Sequence, residues 1–292
     1  MTTIAFVGLG IMGAPMARNL RAAGFDVVAV NRSRGKVERF VRDGGRGADS
    51  VSDAVSDADA VVTMLPDSPD VVDVMRDVFP AARAGTLVID MSTIRPDVTK
   101  QLAEQAGGHG LSYVDAPVSG GEQAAIDGTL SIMVGGDAVA VESARPILDV
   151  LGTTVVHVGD VGSGQTVKAA NQLIVAGVIE LVSEALTFLD AHGVDLESAV
   201  RVLAGGLAGN AVLDRKAASM LARNFAPGFR VDLHHKDLGI FGEAARQAGT
   251  AAPLGVVVAG LVASLRAQGM GDLDHSALLL QVERLSGRKE AE

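Results

Sequence analysis

The 292-residue sequence predicts an α/β fold in two parts, a helix-covered and largely parallel sheet followed by an all-helical second half. Three observations predict it. Short runs of β-favouring residues recur at helix-length intervals over about the first 160 residues, the pattern of alternating strands and covering helices. The first run leads straight into the glycine-rich VGLGIMG, and beyond Gly162 the β-type runs stop. The boundary is therefore placed between 1–162 and 163–292, with one long helix opening the second part and joining the two.

Thr3–Val7 reads as the first strand and Met12–Ala22 as a helix by its periodicity, with Val27–Val30 the second strand. Ser33 is expected to cap the next helix, which continues through Val37 and Phe40. Ala60–Met64 and Thr86–Ile89 are further strands with polar residues at their C-terminal ends, and Ser112–Val114, Ile132–Val134 and Thr154–His157 complete the set. From Gly164 to Ala191 there is one long, largely apolar segment without proline. Helical windows follow at Leu196–Leu203, Leu213–Leu221, Leu233–Ala248, Pro253–Gln268 and His275–Leu285. The charged tail Arg288–Glu292 is expected to lack structure.

A net charge of −10 and a content of one tyrosine and no tryptophan argue against a nucleic-acid surface. The absence of cysteine removes thiol nucleophiles, disulfides and thiolate metal sites. The N-terminus enters an apolar strand without a basic leader, and the most apolar later window contains Glu180 and Glu184. Neither a secretory signal nor a membrane span is expected, so the cytoplasm is the default location.

In Gly8-Leu9-Gly10-Ile11-Met12-Gly13 the glycines have separate duties. The first permits a tight turn, the second admits a pyrophosphate, and the third lets helix and strand pack. The helix N-terminus adds amide donors and a favourable dipole, so a Rossmann-like NAD(P)-binding domain is expected. Where an NAD site often carries an acidic residue, the second strand ends in Asn31-Arg32. A neutral side chain followed by a guanidinium suits an extra 2′-phosphate, so NADP is favoured over NAD. The segment Met64-Leu65-Pro66 and the loop DMSTIRP, with Ser92 and Thr93, follow later strands at the expected cofactor edge.

DAPVSGG, Asp115–Gly121, offers the Ser119 hydroxyl and the Gly120 and Gly121 amides to a carboxylate. In GSGQTVKAANQLI, Lys168 is the single charge, and Asn171 lies three positions on, on the same helical face. A lysine so placed can donate a proton to a carbonyl oxygen as hydride reaches the carbon, with Asn171 holding the lysine or the developing alkoxide. No metal site is expected: there is no HExxH, His234 and His235 are adjacent, and both read as exposed or capping residues.

FVGLGIMGAPMARNL, DAPVSGG, GSGQTVKAANQ and HHKDL, in that order, resemble the β-hydroxyacid dehydrogenases, which include 3-hydroxyisobutyrate dehydrogenase, over nearly the whole chain. The resemblance implies a catalytic role for Lys168 and substrate contacts for Ser119, Gly120 and Asn171. It also implies a Phe229 ring near the nicotinamide, and a Lys236–Asp237 pair on the cofactor side. It further implies a helical domain used to form dimers or tetramers. DAPVSGGEQAAIDGTLSIMVGGD, GGLAGNAVLD and LRAQGMGDLDHSAL look most like the branch that reduces tartronate semialdehyde to D-glycerate. Reductases of other small β-hydroxy acids or semialdehydes, such as 3-hydroxyisobutyrate, succinic semialdehyde or glyoxylate, are the alternative. A non-catalytic cofactor sensor is the alternative of another class.

Overall fold

The computed structural model describes residues 2–288. The expected unstructured tail lies outside them from 289 on, whereas Arg288 is anchored, its N–H on the Glu283 carbonyl and its guanidinium on Asp190. The chain divides into two compact units, Met1–Lys168 and Ala169–Glu292.

The first unit holds nine strands: β1 (Thr3–Val7), β2 (Asp26–Val30), β3 (Arg46–Gly47), β4 (Ala60–Thr63), β5 (Leu87–Asp90), β6 (Ser112–Asp115), β7 (Val118–Ser119), β8 (Leu130–Gly135) and β9 (Gly152–Gly159). They form one sheet in the order β3-β2-β1-β4-β5-β6-β8-β7, with β9 alongside β8. From β3 to β6 all neighbours are parallel, while β8 runs antiparallel to β6 and β7 and parallel to β9. The order reverses between β1 and β4, the switch point outside which such sheets bind ligands.

Both faces of the central strands β1, β2, β4, β5 and β6 are buried, which is why they read as near-continuous apolar runs, whereas the edge strands β3 and β9 are largely exposed. Ile4 and Phe6 face Met16 and Leu20 of α1 (Gly13–Ala22), whereas Ala5 and Val7 face the opposite way, with Val71 and Met75 of α4 (Ser68–Ala81). The remaining helices of this layer are α2 (Arg34–Arg42), α3 (Val51–Val55), α5 (Pro96–Gly108), α6 (Gly121–Asp127) and α7 (Ala138–Leu151). Strands β3 and β7 and helix α3 were not expected; two to five residues leave no readable period. Ser33 stands at the N-cap of α2, but its side chain caps nothing. The amide it would have served, Lys36 N–H, bonds the Ser33 carbonyl instead at 3.1 Å.

Helix α8 (Ser163–Ala191) starts in the first unit and continues into the second. Its 29 residues make it about 43 Å long. The second unit adds α9 (Leu196–Ala204), α10 (Ala211–Leu221), α11 (Val231–Gln247), α12 (Pro253–Leu265) and α13 (Leu278–Leu285). Ala176, Ile179 and Leu186 of α8 pack with Leu213, Met220, Leu238, Val262 and Leu278 in its core. The helix expected to run to Gln268 stops at Leu265 and loosens into a π turn, Arg266–Met270, where Gly269 takes φ +84°. His275–Ala277 is a 3₁₀ turn ahead of α13, capped by Asp274 on the Ser276 amide. By length and composition alone, α8 and the stretch Pro253–Met270 could cross a membrane.

Candidate active site

The glycine turn is built as its spacing predicts. Gly8 has φ +107°, and a Cβ there would lie 2.4 Å from the Met64 carbonyl oxygen. A Cβ on Gly13 would fall 1.9 Å from the Gly8 oxygen, so the helix could not approach the strand so closely. At Gly10 nothing stands within 4 Å of the position a Cβ would take, leaving backbone open to an approaching group. Helix α1 begins with no side-chain cap and no acidic residue in its first turn. The open backbone and uncapped helix together fit a dinucleotide pyrophosphate. Leu9 is buried in the core, Met12 half-buried and Ile11 exposed.

The end of β2 supports this turn. Leu9 N–H donates to Asn31 Oδ1 at 2.9 Å, and Asn31 Nδ2 donates to the Ser33 carbonyl at 3.3 Å. Arg32 is 86% exposed and lies 3.3 Å from Asp70 of α4.

The loops after β4 and β5 are stitched together by side-chain-to-backbone bonds. Leu65 N–H donates to Ser92 Oγ (2.9 Å), and Arg95 N–H to Ser68 Oγ (3.1 Å). Gln165 of α8 accepts from Ile94 N–H (3.0 Å) and donates to the Ser92 carbonyl (2.8 Å). Ser92, at the expected cofactor edge, is fully buried, and its hydroxyl accepts from the Leu65 amide. Met64, Leu65 and Thr93 are half-buried and Pro66 is exposed.

Beneath these loops lies Asp90, also fully buried. It accepts from Thr63 Oγ1 (2.8 Å), Ser92 N–H (3.0 Å) and Tyr113 OH (3.3 Å). Burial raises its carboxyl to about 6 against these donors, and the charge of Asp115 adds to the rise. Burial and the two carboxylates push the Tyr113 phenol well above its ordinary range.

DAPVSGG separates into two structural roles. Asp115 accepts from Gly162 N–H (2.8 Å) and Gln165 N–H (2.9 Å), so a β6 carboxylate caps the first turn of α8. Burial raises its carboxyl, opposed by those amides. A Cβ on Gly164 would lie 2.8 Å from this carboxylate. Ser119 ends β7, half-buried, and Gly120 (φ +140°) and Gly121 (φ +75°) turn the chain into α6 in conformations that L side chains rarely adopt. Lys168 stands three residues beyond Gln165 on the capped start of α8 and is only 6% exposed.

In the helical unit, Asn171 Nδ2 donates to Gln172 Oε1 (2.8 Å), and Gln172 Nε2 donates to Asp237 Oδ2 (2.5 Å). Lys236 Nζ pairs with Asp237 Oδ1 at 2.8 Å. His234 is fully buried rather than exposed or capping, and both ring nitrogens meet polar partners. Its Nε2 faces the Gln172 carbonyl at 3.0 Å and must donate, which leaves Nδ1 to accept from His275 Nδ1 at 3.0 Å. Half-buried Phe229 lies edge-on to His234, with ring centroids 5.6 Å apart. Asp274 holds the same loop, accepting from Lys216 Nζ (2.8 Å) and from the Gly228 and Phe229 amides (both 3.0 Å). Burial opposes its ionisation, but His275, Lys216, Ser276 and the Phe229 amide together lower its carboxyl to about 2.

Gln165, Gln172, Asp90 and Asp274 were not singled out from sequence. Asp90 ends an apolar run, whereas Gln165, Gln172 and Asp274 stand among other polar residues, and in neither setting does the local sequence name a partner. Among the described residues no three His, Asp or Glu side chains are grouped to hold a metal.

The family model for the NAD binding domain of 6-phosphogluconate dehydrogenase matches residues 3–159. The model for the NAD-binding of NADP-dependent 3-hydroxyisobutyrate dehydrogenase matches residues 162–282. The chain is 38% identical to 2-hydroxy-3-oxopropionate reductase of Escherichia coli (strain K12), over 99% of each chain. It is 36% identical to NAD-dependent L-serine dehydrogenase of Pseudomonas aeruginosa, over 95% of this chain and 97% of that one. The structure of Mycobacterium tuberculosis 3-hydroxyisobutyrate dehydrogenase with L-serine matches with a TM-score of 0.89 at 36% identity, covering 97% of this chain and 99% of that one.

Proposed function

Because the chain belongs to the β-hydroxyacid dehydrogenases related to 3-hydroxyisobutyrate dehydrogenase, we propose that it reduces tartronate semialdehyde (2-hydroxy-3-oxopropanoate) reversibly to D-glycerate, preferring NADPH. Its class is NAD(P)-dependent oxidoreduction of small β-hydroxy acids and their oxo forms. The observation that carries the particular substrate is the end-to-end likeness to 2-hydroxy-3-oxopropionate reductase. The preference for NADPH is supported by neutral Asn31 and by the exposed guanidinium of Arg32 at the end of β2.

When bound, the reduced nicotinamide supplies a hydride from C4 to the aldehyde carbon. In this reading the Gly8–Gly13 turn and the start of α1 hold the pyrophosphate, with Met64, Leu65, Pro66 and Thr93 along the cofactor edge. Phe229 and Lys236 are cofactor contacts carried over from the family, with Asp237 supporting Lys236. Ser119 and the Gly120 and Gly121 amides anchor the substrate carboxylate. Lys168 gives its proton to the carbonyl oxygen as charge develops there, then regains one from solvent. Asn171 holds the reacting oxygen or the lysine. A donor oriented before charge develops stabilises the transition state without reorganisation, and losing one costs about 3 kcal/mol.

Steady-state kinetics across tartronate semialdehyde, succinic semialdehyde, methylmalonate semialdehyde, glyoxylate and, in the oxidative direction, L-serine test the substrate with both cofactors. Tartronate semialdehyde should give the highest kcat/KM, and Lys168→Ala should lose about 100-fold in kcat while cofactor affinity is retained. Preference for another substrate sinks the assignment, and a near-normal Lys168→Ala sinks the mechanism. The L-serine arm is included because one relative is named for that activity and one matched structure contains L-serine.

Self-association belongs to the same proposal. Ile174, Leu181 and Phe188 recur every seven residues on α8 and are 64%, 64% and 61% exposed in the single chain. A second copy of the helical unit would cover them, and a monodisperse monomer at micromolar concentration in sedimentation would contradict this.

A further inference from the structure

We infer that Gln172 is a positioning residue, oriented by Asp237, that fixes which atoms the Lys168–Asn171 face of α8 turns toward a substrate; this rests on the roles given above to Lys168 and Asn171. The basis is the direction of a buried hydrogen-bond chain. An ionised carboxylate only accepts, so the end of the Gln172 amide 2.5 Å from Asp237 Oδ2 is its NH₂ group. Oε1 is thereby turned the other way, where it accepts from Asn171 Nδ2 at 2.8 Å. One N–H of the Asn171 amide is committed to Gln172, which sets the amide's direction and leaves Oδ1 as the acceptor end. The donors run one way, Asn171 to Gln172 to Asp237, and at the far end Asp237 Oδ1 makes no hydrogen bond but is ion-paired with the Lys236 ammonium at 2.8 Å.

Gln172 is nearly as buried as the core, and its own carbonyl accepts from His234 Nε2 at 3.0 Å, which ties this turn of α8 to α11. It lies four positions beyond Lys168 on α8, the spacing that puts two residues on one helical face. The amide direction matters there: carbonyl oxygens attract and orient an ammonium, whereas NH₂ groups would oppose it. An apolar residue would fill the volume at less desolvation cost, and a buried amide chain is stable only when every member is satisfied. Asp237 thus acts through Gln172, and neither needs to touch substrate.

Two variants test this, on whichever small β-hydroxy acid or semialdehyde the wild type turns over. Gln172→Leu removes the chain; kcat should fall about 10- to 100-fold with cofactor affinity within about twofold. Gln172→Glu is nearly isosteric but sets two carboxylates 2.5 Å apart, which hold one proton between them. With that proton present the substituted side chain donates to Asp237 and still accepts from Asn171. Its kcat should therefore approach wild type at acidic pH and fall as pH rises over a range where wild type is flat.

Side-chain amide NMR on the cofactor-free protein supplies a readout independent of turnover. The two Asn171 amide protons should be distinct and slow to exchange in wild type, and averaged toward solvent values in Gln172→Leu. Unchanged Asn171 signals with wild-type kcat in Gln172→Leu overturn the proposal, as does a wild-type pH profile in Gln172→Glu. If the wild type prefers a substrate other than tartronate semialdehyde, the functional assignment is corrected and the Gln172 test proceeds on that substrate.

Discussion

Asp90→Asn should stabilise the sheet unit at neutral pH and flatten its pH dependence. Burial lifts the Asp90 carboxyl from 3.8 to about 6, and at about 1.4 kcal/mol per pH unit this is about 3 kcal/mol. Below pH 3.8 the group is protonated whether the chain is folded or not, and the stability it contributes is fully present. Between 3.8 and about 6 the unfolded chain releases the proton first, so stability falls as pH rises through the folded value and reaches its floor above it. Asparagine mimics the protonated form. Its Oδ1 can accept from Thr63 Oγ1 and Ser92 N–H, and its NH₂ can donate to the Tyr113 oxygen, the same three partners. The assay is built in, because Tyr113 is the single tyrosine of a chain without tryptophan and bonds Asp90 directly. Its fluorescence in urea titrations from pH 4 to 8 follows the sheet unit. Wild type should lose up to about 3 kcal/mol over that range and the variant little, leaving the variant more stable at pH 8. A variant with the wild-type slope, or one less stable at pH 8, refutes the reasoning.

Three further outcomes are expected. Arg32→Ala should reduce the NADPH-over-NADH ratio of kcat/KM by about tenfold, the worth of one charge-assisted bond to phosphate; an unchanged ratio would assign the preference elsewhere. Gly13→Ala forces a methyl group to 1.9 Å from the Gly8 oxygen and should cost about 3 kcal/mol or more while weakening cofactor binding, measured by denaturation and nucleotide fluorescence. Burial, helped by the charge of Glu184, raises Glu180 to about 7. Glu180→Gln should therefore abolish a loss of helical-unit stability that develops as pH rises from 4.5 to about 7 and is complete above it, seen by hydrogen exchange at α8; an identical pH response would contradict it.

The backbone plan was legible in the sequence where periodicity or glycine chemistry spoke. β1 was read to the residue at Thr3–Val7, and the glycine turn announced its geometry because only glycine tolerates those approaches. Lys168 stands out as a candidate because it is the single charge of the stretch Gly162–Ile174. The partners that orient these groups were not legible. Asp115 meets Gly162 and Gln165 across 47 and 50 residues, and Gln172 meets Asp237 across 65. No local period encodes such pairings. Ser92 shows the same limit from the other side: a loop serine at a strand end suits a ligand contact or a brace equally well, and nothing local shows that its hydroxyl accepts from the Leu65 amide.

The carboxylates that brace the first unit also shape its electrostatics. Asp90 and Asp115 end adjacent strands in register and each repels charge on the other or on Tyr113. The amides of Ser92, Gly162 and Gln165, which could otherwise serve an anion, are committed to these two side chains. The end of β1 is arranged the other way. Gly8 and Gly10 bring no side chain, α1 has neither cap nor acid in its first turn, and Asn31 supports the turn with a neutral amide where a carboxylate would add negative charge. A polyanionic ligand therefore meets repulsion beyond β5 and β6 and attraction beyond β1. On this sheet the placement of internal acids, as much as the glycine turn itself, would favour a pyrophosphate at the end of β1 over the ends of β5 and β6.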